Sequence, residues 1–118
     1  MINLEFKVFH ISKKTANAER SIRRMMNHNN CDFQILHVEE YLHKGSVANC
    51  LKSIEAGSWE QLVYQSMVFF QSFSPSFYVS GFIDEEFCLT SHRLTAADGV
   101  TCVSLDIRKN DILDEFGS

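Results

Sequence analysis

Two residue types in this chain could carry metal or nucleophilic chemistry, histidine and cysteine. His10, His28, His37, His43 and His92 are scattered, and Cys31, Cys50, Cys88 and Cys102 are widely spaced with no C-x-x-C pair. Zinc needs four ligands, or three plus water, in tetrahedral geometry. His28 and Cys31 have the i, i+3 spacing of two ligands on one helix face, but Asn29-Asn30 between them breaks such a helix. His37 and His43 would have to meet across a turn. No local pair supplies half of a recognised site, so no metal is expected and the histidines are read as surface or hydrogen-bonded core residues. A cysteine with a distant histidine is available in any chain that holds four of one and five of the other, and this carries almost no information. There is no G-x-S-x-G elbow. The glycines, Gly45, Gly57, Gly81, Gly99 and Gly117, are isolated, so no loop of consecutive backbone N–H groups is available to cradle a phosphate. No catalytic residue, metal or other cofactor is assigned.

Carboxylates are the more informative set. Asp84, Glu85 and Glu86 are consecutive at a turn, and Asp106, Asp111, Asp114 and Glu115 lie at and after the end of the last strand. Adjacent carboxylates repel one another unless a cation answers them, although many acidic turns are simply solvated. Tyr78, Phe82 and Phe87 are close in sequence and could supply aromatic anchors ringed by charge, which is how interface hot spots are built. The candidate partner-binding set is therefore Asp84, Glu85, Glu86, Tyr78, Phe82, Asp106, Asp111 and Asp114.

Charge is unevenly distributed along the chain. Residues 1–30 carry Lys7, Lys13, Lys14, Arg20, Arg23 and Arg24 against Glu5 and Glu19, while residues 84–118 hold eight acidic residues against Arg93, Arg108 and Lys109. An acidic C-terminal third suits a basic partner and is a poor surface for nucleic acid. The basic run Lys13 to Arg24 has no Phe, Tyr or Trp near it to stack on bases, and reads as a solvated helix face.

The elements that must position these residues follow from periodicity. Leu4, Phe6 and Val8 alternate with Glu5 and Lys7, a half-buried strand from Asn3 to Ile11. Phe9 and Ile11 add apolar residues to its other face, as if that end were covered on both sides. Ala18, Ile22, Met25 and Met26 form a helical stripe over Thr15 to Met26, ended by Asn27-His28-Asn29-Asn30. Cys31 to Val38 is apolar on both faces, which suggests a central strand, and Glu39 to His43 suggests a short turn of helix. Val47, Cys50, Leu51 and Ile54 at i, i+3, i+4 and i+7 predict a helix capped by Ser46 and closed by Gly57. Ser58 and Gln61 form a capping box for the next helix, with Trp59, Leu62, Val63, Met67 and Phe70 as its stripe and Pro75 as its stop. Phe77–Ile83, Glu86–His92 and Val100–Ile107 read as an antiparallel meander. The expected fold is α+β in the order β-α-β-α-α-β-β-β, a mostly antiparallel sheet with about three helices packed on one face.

At 118 residues the chain fits one domain, residues 1–118, with no repeat, linker or low-complexity tract. No stretch reaches the roughly 20 apolar residues of a membrane helix, and the first residues lack the features of a signal peptide. No membrane partner is expected, and the cytoplasm is the expected compartment. There the four cysteines are read as buried free thiols.

In length, acidic balance, cytosolic character and mixed α+β order the whole chain resembles the small bacterial immunity proteins of contact-dependent growth-inhibition and polymorphic toxin systems. The meander from Phe77-Tyr78-Val79-Ser80-Gly81-Phe82-Ile83 through Val103-Ser104-Leu105-Asp106-Ile107 has the character seen in several of them. The resemblance carries no family-specific motif and transfers no residue roles. It implies a binding protein, not an enzyme, that neutralises one cognate and basic toxin domain, often a nuclease, by covering its active site or substrate surface. The competing expectations are a secretion or assembly chaperone that holds an extended segment along a sheet edge, and a small His/Cys metal-dependent enzyme.

Overall fold

The structure, a computed structural model, describes residues 1–72, 77–81, 84–91, 99–112 and 116. Six strands form one antiparallel sheet in the order β2-β3-β1-β6-β5-β4. The elements in chain order are β1 (Ile2–His10), α1 (Thr15–His28), β2 (Gln34–Tyr41), β3 (Gly45–Ile54), α2 (Trp59–Gln71), β4 (Tyr78–Ser80), β5 (Glu86–Ser91), β6 (Val100–Arg108) and α3 (Lys109–Ile112). This is an α+β fold, as expected; among the described residues it has three helices, of which the short α3 is not one that the sequence predicted.

β1 is the spine. Its period-two pattern buries Ile2, Leu4, Phe6, Val8 and His10 on one face and leaves Asn3, Glu5 and Lys7 exposed on the other. Both long helices cover the buried face. Ile22 and Met25 of α1 and Trp59, Leu62, Val63, Phe69 and Phe70 of α2 join one core with Leu4, Phe6, Val8, Phe87, Leu89, Val103 and Leu105. Phenylalanine fills the gap between the layers. The Phe6 ring meets Phe33 edge-on at 5.0 Å and Phe69 at 5.3 Å, and Trp59 meets Phe87 at 5.4 Å. Edge-on pairs of this kind stabilise beyond the area they bury. α2 is capped as expected, with Gln61 N–H donating to Ser58 Oγ at 3.2 Å. The Gln61 side chain reaches back one residue further than in the usual capping box, and its Oε1 accepts from Gly57 N–H at 2.7 Å. Pro75, its expected stop, lies outside the described residues.

The segment from Ser46 to Gly57 is the main correction. It forms strand β3 over Gly45–Ile54 instead of a helix. Its apolar residues satisfy both periods, and pairing decides between them. β1 matches it over nine consecutive positions, Ile2↔Ile54 to His10↔Ser46, and β2 pairs along its other edge. Ser46, Ala48, Cys50 and Ile54 face the helices, and the small residues among them were invisible as a hydrophobic stripe. β2 is correspondingly an edge strand, not a central one, with an irregular register between Ile35 and His37. The expected helical turn at Glu39–His43 is the end of β2 and its hairpin. Leu42, His43 and Lys44 connect the paired Tyr41 and Gly45; Leu42 (φ 48°) and His43 (φ 57°), central in the β-turn Tyr41–Lys44, both take left-handed backbone, and Lys44 N–H donates to Tyr41 O at 2.8 Å. The end of β1 is not covered on both sides, since Ile11 is 65% exposed.

Close backbone approach fixes the far end of β1. A Cβ on Gly45 would lie 2.1 Å from the carbonyl oxygen of His10, and one on Gly99 (φ 73°) would lie 2.6 Å from its Nε2. The His10 ring is itself held, with Nδ1 accepting from Ser12 N–H at 2.9 Å. Gly45→Ala is therefore expected to lower unfolding stability by about 3 kcal/mol, the upper part of the usual overpacking range. Replacing Leu42-His43 by Asn-Gly relieves two left-handed non-glycine residues and is expected to raise stability by about 1 kcal/mol. Urea midpoints of the two variants against the parent check both signs.

Candidate functional site

Among the described residues neither α1 nor α2 covers the second face of the sheet, which has only the four-residue α3 at one end, and the strand registers show which side chains share it. One row runs across all six strands: His37, Asn49, Lys7, Ser104, Thr90 and Tyr78. Toward one end the next positions hold Leu51, Glu5, Asp106 and Cys88, followed by Arg108 paired with Glu86. Toward the other end Phe9 lies between Val47 and Cys102, with Glu39 beyond. An antiparallel sheet can leave one face to water, but this one carries large apolar groups there. Leu36 is 48% and Tyr41 42% exposed.

The acid-rich end draws together most of the predicted residues. Lys109 N–H, at the start of α3, donates to Glu85 O at 2.7 Å, which ties the Asp84–Glu85 turn to the end of β6. Asp106 and Asp111 line one shallow depression with Glu5, Asn3, Leu51 and Arg108. Glu86 is answered by Arg108 at 3.7 Å, an exposed pair of small energetic weight. Among the described residues Glu5, Asp84, Asp106 and Asp111 have no ion pair. Tyr78 is 68% exposed on edge strand β4, in the central row and away from the acid end. Phe87 is fully buried against Trp59 and is not an available anchor, because its strand position points it to the helix side. Phe82, Asp114 and Glu115 lie outside the described residues.

Glu5 was missed by sequence reasoning. Only the alternation of β1 could have flagged it, as an outward residue, and the register that sets it beside Asp106 is long-range. The Phe9–Tyr41 pair was missed for the same reason. These rings meet edge-on at 5.2 Å across β3, at the end of the open face opposite the acids.

The other candidates resolve differently. His37 approaches Glu39 at 3.6 Å, His43 meets Glu40 at 2.9 Å, and buried His10 is hydrogen-bonded to Ser12. Among the described residues no three His, Cys, Asp or Glu side chains are placed to hold a metal ion. The basic residues of α1 are solvent-facing, with Arg23 3.8 Å from Glu19, on the layer opposite the open face. No helix among the described residues is long and apolar enough to cross a membrane. Cys31 and Cys50 are buried thiols as expected, but Cys88 and Cys102 are only half-buried and belong to the open face. Burial pushes the Cys50 thiol up to about 12, and raises Cys31 and Cys102 as well.

No family model, curated protein or solved structure matches this chain.

The raised Cys50 thiol has a pH consequence. An unfolded thiol ionises near 9 and the folded one only near 12, so above pH 9 the unfolded state holds fewer protons. The stabilisation is complete below the unfolded value and is lost as pH rises from 9 toward about 12. In native protein at pH 8, Cys50 is expected to resist alkylation over hours while Cys88 labels first, read by mass spectrometry of the digested protein. Cys50→Ala is expected to flatten the fall in urea midpoint between about pH 8 and about pH 10.5, which bracket the unfolded thiol's value near 9.

Proposed function

We propose that this chain is a binding protein that neutralises a cognate basic toxin domain by laying its open sheet face over the toxin's active site or substrate surface. The observation that supports this reading best is the hydrogen bond from Lys109 N–H to Glu85 O. It gathers Asp84, Glu85 and Glu86 with Asp106, Glu5 and Asp111 of the short α3 at one end of a face that, among the described residues, neither α1 nor α2 covers. Glu5, Asp84, Asp106 and Asp111, which have no ion pair among the described residues, create a negative field that a basic surface answers. The basic residues of α1 lie on the opposite layer, so the field has a direction and an approaching basic domain is turned toward the sheet.

The experiment is co-expression of this chain with the product of the gene adjacent to its own, when that product ends in a toxin-like domain. Growth should be rescued, and the two proteins should co-purify. Asp106→Lys combined with Asp111→Lys should abolish rescue and slow association by about tenfold at low salt, with a smaller difference at 0.5 M salt. Surface plasmon resonance at two ionic strengths separates association from dissociation. Unchanged rescue and unchanged association by the double variant would remove the acid end from the site.

A further inference from the structure

The open face has a second pole that the acids do not explain. Phe9, Tyr41, Lys44, Gly45, Thr101 and Cys102 line a recess of about 280 Å³ at the end of the sheet opposite Glu5 and Asp106. Two aromatic rings set edge-on and the half-buried Cys102 thiol form its walls, and its polar residues are Thr101, Lys44 and the buried His10 and Ser46. The volume falls just below the roughly 300–1,000 Å³ of pockets that enclose whole small ligands, and suits a single inserted side chain. Thiol and ring edges both favour an aromatic or methionine guest, and an ammonium at the wall adds attraction for an aromatic face.

The recess is continuous with the charged part of the face along β1. Phe9, Lys7 and Glu5 alternate on the same side, so they sit about 7 Å apart in turn and span about 13 Å. Glu5 is joined by Asp106 from β6, while Lys7 has Asn49 and Ser104 as its neighbours. The pattern is apolar recess, cation, acid pair. Charge complementarity then specifies the partner.

We infer that the Phe9–Tyr41 recess is the anchoring site for one aromatic or methionine side chain of the basic protein partner, which carries an acceptor opposite Lys7 and a cation opposite Glu5 and Asp106. This rests on the reading of the open face as a toxin-binding surface and adds the group on which dissociation depends. Buried aromatic anchors of this kind dominate interface energetics, and losing one costs tenfold or more in affinity.

The probe is a synthetic extended peptide, acetyl-Trp-Ser-Glu-Ser-Arg-Arg-amide, whose alternate side chains repeat the spacing of a strand. Its titration into the ¹⁵N-labelled protein is followed by amide shifts. Saturable shifts are expected at Phe9, Tyr41, Thr101 and Cys102 together with Glu5 and Asp106, and they should weaken about tenfold when the peptide Trp is replaced by Ala. Tyr41→Ala, at an exposed position, and Thr101→Arg, which fills the recess from its exposed rim, should each produce the same weakening. No saturable shift at the recess, or shifts indifferent to the Trp, overturns the inference. The two proposals fail separately. If the adjacent-gene toxin loses binding in the Asp106→Lys, Asp111→Lys protein but not in Tyr41→Ala or Thr101→Arg, the recess is not the anchor and the acid-end reading stands. If the peptide fills the recess while no toxin binds, the anchor stands and the toxin reading falls.

Discussion

The nine matched positions between β1 and β3 decide which side chains this protein hides and which it shows. A slip of one residue would turn Leu4, Phe6 and Val8 to water and bring Glu5 and Lys7 under the helices. Burying those two charges without partners would cost several kcal/mol each, so the register has little freedom. The same register sets Glu5, Lys7 and Phe9 in line on the other face. Core and open face are thus two consequences of one alignment. β6 extends it, because the pairing of Phe6 with Leu105 and of Val8 with Val103 carries both patterns across to the meander.

That open face is unusual in what it shows. An antiparallel sheet with a solvated side ordinarily reads polar there, and the central row of His37, Asn49, Lys7, Ser104, Thr90 and Tyr78 does so for most of its length. The two ends depart from it in different ways. At one, carboxylates outnumber the cations near them. At the other, Phe9, Val47 and Cys102 stand side by side and Tyr41 leans on Phe9. The acid end does not help the fold, and the apolar end helps it chiefly through the edge-on Phe9–Tyr41 pair. The exposed Glu86–Arg108 pair is worth little, the remaining acids repel, and Tyr41 holds apolar area in water that turning inward would have removed.

Most of the elements were legible in the sequence. β1 and α1 followed from clean periods of two and of 3.6, and α2 from its Ser58–Gln61 cap together with a broad stripe. What was not legible depended on residues distant in sequence. Val47, Cys50, Leu51 and Ile54 fit a helix as well as they fit a strand, and only the two neighbouring ladders select the strand. The hairpin before it was hidden because Leu42 and His43 take left-handed backbone without the Asn or Gly that usually marks it. At the site, the acids of the 84–86 turn and of the β6 end were visible as runs of like charge, but their closeness was a guess until Lys109 and Glu85 were joined. Phe87 misled because sequence proximity to the acids says nothing about face. It alternates with Glu86 and Cys88, and alternation sends it inward. Glu5 and the Phe9–Tyr41 recess needed three and four strands to be assembled before they had any meaning.

The two poles of the face would do different work in a complex. Charge acts before contact, but at physiological ionic strength its reach is about 8 Å, so the acid end can orient and hasten only the last stage of an encounter. Any basic surface would answer it, so charge alone would not tell one basic partner from another. Once the surfaces meet, the gain from the acids is reduced by the water they give up, whereas an aromatic group entering the Phe9–Tyr41 recess loses little and fits only where shape allows. Differences among related complexes lie mainly in dissociation. In the proposed complex, selectivity for one partner would therefore belong to the apolar end of the sheet and speed to the acidic end. Lys7 between them would penalise a partner that is basic along its whole length. A face that were acidic throughout would bind more partners and choose among them less well.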